Sequence, residues 1–185
     1  LLEALSTTGS GRLELIKDAI DRGLFRDLRL VKPALAGLDD PYPEIAEMLA
    51  AKVLPTYGKA ILPMLRSSFD PKGTKGHPRR LKLMHAIDPE STRDIVKSAL
   101  ENGSKEVKVA AISCLGEHAE DLNFLLEQAS AKAQDVRAAA YESLARLDAP
   151  EAEAVLQKAL EGKDFRVATN AIEQSRSPKH LDILI

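Results

Sequence analysis

The sequence predicts an all-α fold, a right-handed α-solenoid of about six antiparallel helix pairs. The first observation is a repeat of short stretches in which Val107, Val136 and Phe165 lie 29 residues apart. The second is that apolar residues within each stretch follow helical spacing. The third is that no alternating strand pattern interrupts them. Because a strict period of this length is typical of stacked supersecondary units, the sequence indicates a solenoid before any single residue is considered.

Each repeat begins with an amphipathic helix. Small and apolar residues recur at i, i+3, i+4 and i+7 from Val107, and the same spacing recurs from Val136. After a short turn, a second helical pattern follows, for example over residues 122–129 and 155–160. The repeating unit is therefore predicted to be a helix pair.

The earlier half of the chain carries the same unit in a looser form. Residues 45–53 predict a first helix, and Pro63 lies 30 residues after Pro33 in a similar context. Proline is tolerated in a first helical turn, so we expect second helices to begin at these prolines or to kink there. One domain is thus predicted over residues 1–185, with units at residues 11–38, 41–69, 76–101, 105–130, 134–161 and 164–185, the last of them partial.

Residues 135–147, with the sequence Asp-Val-Arg-Ala-Ala-Ala-Tyr-Glu-Ser-Leu-Ala-Arg-Leu, together with residues 150–160, resemble the HEAT repeat. The similarity is greatest to the short variety first described in phycobilisome lyases. Residues 106–129 match it well, residues 164–185 partly and residues 11–101 weakly. The resemblance implies a solenoid whose concave face is lined by the second helices. HEAT proteins are mostly scaffolds that bind other proteins, so the motif specifies fold better than function.

Composition excludes several classes of protein. The chain has 185 residues, 44% of them hydrophobic, and a net charge of −2, which gives no global attraction to nucleic acid or anionic membrane. No apolar run approaches the ~20 residues that span a bilayer. The single cysteine, Cys114, excludes an intrachain disulfide and predicts a reducing, cytoplasmic compartment. Because Cys114 occupies the position equivalent to Ser143, we expect a buried structural thiol.

No catalytic, cofactor-binding or metal-binding constellation emerges, so the sequence predicts a protein that is not an enzyme and holds no cofactor. Tyr57 lies at a turn, where it either packs over a helix end or serves as an exposed anchor for a partner. Tyr42 lies in a proline-rich turn and is a weaker contact candidate. Histidines occur in different units, without the i, i+4 spacing of a helical metal site: His77, His85, His118 and His180.

One cation recurs near the start of the first helices. The resemblance to HEAT repeats implies that an acidic residue beside this cation pairs with the neighbouring repeat. A carboxylate is also favoured at a helix N-terminus by the helix dipole. The alternative is a row of cations that binds a phosphate backbone or an acidic peptide. The cations are Arg79, Lys108, Arg137 and Arg166, and the acidic residues are Glu106, Asp135 and Asp164.

The strongest local departure from the period is a basic segment, residues 72–82, next to a long loop over residues 70–77 that we expect to be flexible. Gly73 and Gly76 allow close approach of a ligand, and a helix start is predicted at Pro78, so an anion could bind here. The alternative is a solvated loop whose cations offset nearby carboxylates. The candidate binding residues are Lys72, Lys75, His77, Arg79, Arg80 and Lys82.

The favoured interpretation is a scaffold or adaptor that binds a protein along its second helices. The alternative function is a module that binds an anion or nucleic acid through the basic segment. We also expect the chain to be part of a longer protein, because it begins at Leu1 without methionine and ends on an apolar run over residues 181–185. The predicted partner contacts are Arg66, Arg93, Lys97, Glu127, Gln128, Gln157 and Lys158.

Overall fold

The structure is a computed structural model that describes residues 1–175, and these residues form helices and turns without a β-strand. The all-α prediction is therefore confirmed for this part of the chain. The chain forms two compact bodies, an N-terminal body over Leu1–Val107 and a C-terminal body that begins at Lys108. The α-helices are α1 (Leu2–Ser6), α2 (Arg12–Asp21), α3 (Val31–Ala36), α4 (Pro43–Met48), α5 (Leu62–Ser67), α6 (Gly76–Ile87), α7 (Pro89–Asn102), α8 (Lys105–Ile112), α9 (Leu122–Gln128), α10 (Gln134–Leu144), α11 (Pro150–Leu160) and α12 (Phe165–Ser175).

Helix positions follow the predicted units. The units at residues 76–101, 105–130 and 134–161 contain the pairs α6 and α7, α8 and α9, and α10 and α11. Helix α12 opens the partial unit that begins at residue 164. The remainder of that unit, residues 176–185, lies outside the described residues, as does the apolar run that ends the sequence. One domain running through both bodies stays a prediction.

Prolines lie in first helical turns, as predicted. Pro33 is the third residue of α3 and Pro63 is the second residue of α5, so neither proline removes an intrahelical hydrogen bond. Helix α7 begins at Pro89, directly after Asp88, whose carboxylate accepts a hydrogen bond from the Ser91 amide at 3.5 Å. An aspartate followed by proline is a favourable helix start, because the acid caps an amide and the proline has none to satisfy.

The unit at residues 41–69 departs from a simple helix pair. Helix α4 continues as a π-helical turn over Leu49–Val53, followed by 3₁₀ turns over Leu54–Ile61. Gly58 interrupts these turns with a φ of +56°, a conformation that residues with a Cβ rarely adopt. The chain therefore changes direction at Gly58 before α5 begins.

The core of the N-terminal body is aliphatic. Helix α2 contacts α4, α6 contacts α7, and α3 contacts the turns over Leu54–Ile61. Each amphipathic helix thus buries its apolar face against a neighbouring element. The largest fully buried side chains of this body are Ile16, Leu38, Ile45, Leu49, Leu54, Leu65, Leu81 and Met84.

Helix α10 lies at the centre of the C-terminal body, where it contacts α9, α11 and α12, while α9 also contacts α11. First helices thus contact first helices, and second helices contact second helices. Cys114 is buried, as predicted. Its equivalent, Ser143, is fully buried and donates a hydrogen bond to the carbonyl of Ile112 at 2.7 Å. Because the serine hydroxyl has this partner, its burial carries no unpaired polar group.

Candidate functional site

Arg80 of the basic segment is a structural residue of the N-terminal body. Its side chain is 6% exposed and donates two hydrogen bonds to the carboxylate of Asp39, at 3.1 and 2.6 Å. Partial burial opposes ionisation of Asp39, but the hydrogen bonds and charge of Arg80 outweigh it, so the pKa of Asp39 lies below its ordinary value. The amide of Gly76 also donates to Asp39, at 3.2 Å. Arg80 is therefore engaged within the fold.

Arg79 and His77 also have partners within the N-terminal body. The Arg79 Nε lies 2.7 Å from Glu47 Oε1, and another nitrogen of its guanidinium donates to the carbonyl of Leu38 at 3.3 Å. His77 Nδ1 accepts a hydrogen bond from the Asp70 amide at 3.0 Å. These contacts span up to 41 residues of chain, which is why local spacing did not reveal them.

The loop that carries the basic segment is hydrogen-bonded to Ser104, which lies between α7 and α8. The Ser104 hydroxyl donates to the carbonyl of Gly73, and the Ser104 amide donates to the carbonyl of Pro71, both at 2.8 Å. Gly73 and Gly76 had suggested a flexible loop. The structure instead shows that the carbonyl groups of Pro71 and Gly73 accept specific hydrogen bonds. The fold thereby supplies partners for backbone groups that would otherwise depend on water.

Three lysines of the basic segment remain exposed, namely Lys72, Lys75 and Lys82. Lys75 has a φ of +54° directly before α6, an uncommon conformation for a residue with a side chain. Anion binding through this segment stays a prediction. It now depends on exposed lysines such as Lys72 and Lys75, because His77, Arg79 and Arg80 are engaged by partners within the fold.

A buried ion pair that sequence reasoning did not single out joins Arg12 of α2 to Asp40. The two side chains are 6% and 5% exposed, and Arg12 Nε also donates to the carbonyl of Ala4 at 2.6 Å. Asp40 thus pairs with Arg12, while its neighbour Asp39 pairs with Arg80. The turn that holds both aspartates therefore connects α2 with α6 through charge-assisted hydrogen bonds.

Arg137 of the cation row pairs with the acidic residue of the following repeat, as the structural interpretation predicts. Its guanidinium donates to the two carboxylate oxygens of Asp164 at 2.7 and 2.8 Å, and to the carbonyls of Ala131 and Lys132. These hydrogen bonds from Arg137 lower the pKa of Asp164. Arg166, the next member of the row, is exposed. The members of the cation row therefore differ, because Arg137 is paired within the fold and Arg166 faces solvent.

Tyr141 completes the Arg137–Asp164 site. Its hydroxyl donates to Asp164 Oδ2 at 3.2 Å, and burial, followed by the nearby Asp164 charge, raises the pKa of Tyr141. A cavity of about 340 Å³ opens beside these residues, with Lys158 and Lys163 in its wall. Because Tyr141 stays protonated at neutral pH, it serves as a hydrogen-bond donor to the carboxylate.

The predicted partner-contact residues lie on second helices of both bodies. In the N-terminal body, an Arg66 nitrogen donates to the carbonyl of Ser91 at 2.8 Å, Arg93 is half-buried and Lys97 is exposed. In the C-terminal body, three of the four residues are exposed and the other is half-buried. The exposed three are Glu127, Gln157 and Lys158, and the half-buried one is Gln128.

An apolar groove of about 610 Å³ lies in the N-terminal body, beside the second helices α3 and α5. Tyr57 lines this groove and is half-buried, and its hydroxyl donates to the carbonyl of Phe25. Tyr57 therefore packs against the fold, and its role as an anchor for a partner stays a prediction. The groove is lined by Leu28, Arg29, Val31, Lys32, Tyr57, Ala60, Ile61 and Met64.

A second cavity of the N-terminal body, of about 550 Å³, lies beside the loop that precedes α2. Gly9, Gly11 and the exposed Tyr42 contribute to its wall. Arg12 also lines it, but the guanidinium is paired with Asp40. Tyr42 is thus accessible, as its weaker contact role requires.

Within residues 1–175, no helix combines the length and the apolar character needed to cross a membrane. Nor does this part contain a cluster of three or more histidine, cysteine, aspartate and glutamate residues that could hold a metal ion. In comparisons with known proteins, no family model and no curated protein matched the chain.

Proposed function

We propose that this chain is a HEAT-like α-solenoid that binds another protein along its second helices, in the cytoplasm and without catalysing a reaction. The observation that carries the proposal is the pair between Arg137 and Asp164, which links the first helix of one repeat to the start of the next. Such a link suits a stack in which each unit contacts its neighbours. Stacked units present an extended surface, which is how solenoid proteins hold partners.

The second helices of the C-terminal body support a protein partner. Helices α9 and α11 contact each other and leave Glu127, Gln157 and Lys158 exposed. The surface therefore carries an acid, an amide and a base within two neighbouring helices. Charge of both signs suits a protein with a complementary pattern better than a polyanion, which would require cations alone.

The test is capture of partners by the intact parent protein, followed by crosslinking and mass spectrometry. We compare Lys158→Glu with Arg166→Glu, because both cations are exposed in the C-terminal body but Arg166 lies on a first helix. We expect Lys158→Glu to lose a reproducibly captured protein and Arg166→Glu to retain it. Equal retention by both variants, or no reproducible partner of the wild type, would contradict the proposal.

The second candidate function is binding of an anion or nucleic acid through the basic segment. It is favoured by the exposure of Lys72, Lys75 and Lys82 within eleven residues of chain. Such binding must weaken steeply with salt, because cations on the protein replace counterions on the polyanion. Titration of a fluorescent single-stranded oligonucleotide at two salt concentrations tests it, and salt-independent or absent binding would exclude it.

A further inference from the structure

The apolar groove beside α3 and α5 has an open rim. Leu28 is 76% exposed, and Lys32 and Ala60 are also exposed. The floor contains Val31 and Ile61, which are buried. A volume of about 610 Å³ falls within the range of ligand-binding sites. Because much of the rim faces solvent, the groove suits side chains that project from a larger molecule better than a small ligand that must be enclosed.

The walls of the groove are held in place from within the fold. Tyr57 is fixed by its hydrogen bond to the carbonyl of Phe25. Met64 lies on α5, and Lys32 lies on α3. Leu28 begins a 3₁₀ turn that is capped by Asp27, whose carboxylate accepts a hydrogen bond from the Arg29 amide at 2.9 Å. A groove with fixed walls requires little ordering when it is filled, which favours binding.

The lining set contains two cations, but Arg29 is paired with Asp27, whose charge also acts on Tyr57, so Lys32 supplies the positive charge that a partner can meet. Arg29 and Lys32 are the only charged members of the lining set. Arg29 is held by Asp27, with its nitrogens 2.6 to 3.0 Å from the Asp27 oxygens. Lys32 is exposed on α3 beside the apolar floor. The groove therefore complements a segment that has apolar side chains and a neighbouring carboxylate.

We propose that this groove binds an acidic, amphipathic segment of a partner protein, with apolar side chains against Leu28, Tyr57 and Met64 and a carboxylate beside Lys32. The proposal rests on the protein-binding function proposed above and specifies the chemistry of its partner. An amphipathic helix presents apolar anchors at i, i+3, i+4 and i+7, which is the pattern that apolar grooves recognise. The groove lies beside second helices, so it belongs to the surface on which we expect the partner.

The experiment uses the full chain and a panel of short, fluorescently labelled peptides. Each peptide carries leucine or phenylalanine at i, i+3, i+4 and i+7, with glutamate at the other positions. A matched panel replaces every glutamate by lysine. We expect fluorescence anisotropy to detect binding of acidic peptides and at least about tenfold weaker binding of the basic ones. Failure of every acidic peptide to bind, or equal binding of both panels, would overturn the proposal.

Substitutions at the rim locate the binding. We expect Leu28→Asp and Lys32→Glu each to weaken acidic-peptide binding by about tenfold. Leu15→Asp and Lys52→Glu are matched controls, because Leu15 is 59% exposed on α2 and Lys52 is exposed, and neither lines the groove. All four changes lie at solvent-exposed positions, so circular dichroism should show the wild-type helix content. If the controls weaken binding as much as the rim variants do, the groove is not the site.

Two other occupants are outcomes of the same experiment. We expect decanoate, a small amphiphile, to displace the acidic peptides because it competes for the same groove. If decanoate binds and no peptide does, the groove is a site for a small amphiphile and the proposal is overturned. A dimer in sedimentation that Leu28→Asp dissociates would assign it to a second copy of the chain, with the same consequence. Capture that depends on Lys158 but not on Leu28 would leave the protein-binding function standing without the groove.

Discussion

Arg137 and Asp164 form a two-point ion pair in the C-terminal body, with nitrogen–oxygen distances of 2.7 and 2.8 Å, across 27 residues of chain. In the N-terminal body, Arg12 and Asp40 form an equivalent buried pair across 28 residues. Both pairs join a first helix to the residues that precede the next first helix. An ion pair of this kind therefore occurs in both bodies, although the 29-residue period is regular only in the second half of the chain.

Removal of one partner from the Arg12–Asp40 pair should be strongly destabilising. We expect Arg12→Ala to lower the free energy of unfolding by about 3–5 kcal/mol, because it leaves Asp40 buried without its counter-ion. Urea denaturation followed by circular dichroism measures this change. Arg22→Ala is the matched control, because Arg22 pairs with Asp18 at exposed positions, where an ion pair contributes about 1 kcal/mol or less. Equal losses in the two variants would contradict the structural role of the buried pair.

Stability should fall in acid because of Asp164. Its pKa is lower in the folded protein than in the unfolded chain, where it has the ordinary value near 3.9. The folded state therefore binds fewer protons in this range, and its stabilisation is complete above the ordinary value and is lost as pH falls through the lowered one. We expect urea midpoints to decrease from neutral pH toward about pH 3, and Asp164→Asn to flatten that decrease.

The comparison for Asp164 is Asp18→Asn, in the exposed pair with Arg22. This variant removes one carboxylate as well, but we expect it to retain the acid dependence of the wild type. If Asp164→Asn shows the full wild-type slope, Asp164 does not contribute to the acid sensitivity.

Gly76 should resist substitution. A Cβ at this position would lie 2.6 Å from the backbone carbonyl oxygen of Leu38, which cannot move without shifting the chain. We expect Gly76→Ala to cost about 1–3 kcal/mol through this overpacking, measured by thermal or urea denaturation. Gly9→Ala is the control, because nothing lies within 4 Å of the added Cβ. Unchanged stability of Gly76→Ala would show that the approach between α6 and Leu38 relaxes freely.

Charge reversal within the basic segment should separate folding from binding. We expect Arg80→Glu to destabilise the protein by about 2 kcal/mol or more, because it removes charge-assisted hydrogen bonds to Asp39. Lys72→Glu should leave the urea midpoint unchanged, because Lys72 is exposed. Any loss of oligonucleotide binding in Arg80→Glu is therefore ambiguous, whereas a loss in Lys72→Glu would identify a binding residue.

The urea midpoint of Lys72→Glu shows whether Lys72 has a structural contact. If Lys72→Glu unfolds as readily as Arg80→Glu, the lysine has a structural contact and cannot report on binding.

Predictability differed between local and distant features. The spacing of Val107, Val136 and Phe165 predicted where first helices lie, because the apolar residues of a buried helix face recur with helical periodicity in the sequence. Pro33 and Pro63 likewise marked the starts of α3 and α5. The partner of Arg80 was not predictable in this way, because Asp39 lies 41 residues earlier and outside the period. The groove at Leu28 combines residues from two separate stretches, 28–32 and 57–64.

The sequence by itself determined the helical class, the approximate helix positions and the burial of Cys114. These features depend on residues that are close in sequence, because both the spacing of apolar side chains along a helix and the residue types at its start are local. Only the tertiary structure decided that Arg79 and Arg80 are engaged within the fold while Lys72 and Lys75 face solvent, and that Leu28, Lys32 and Met64 surround one groove. Long-range contacts depend on the path of the whole chain, and that path brings together residues that share no spacing.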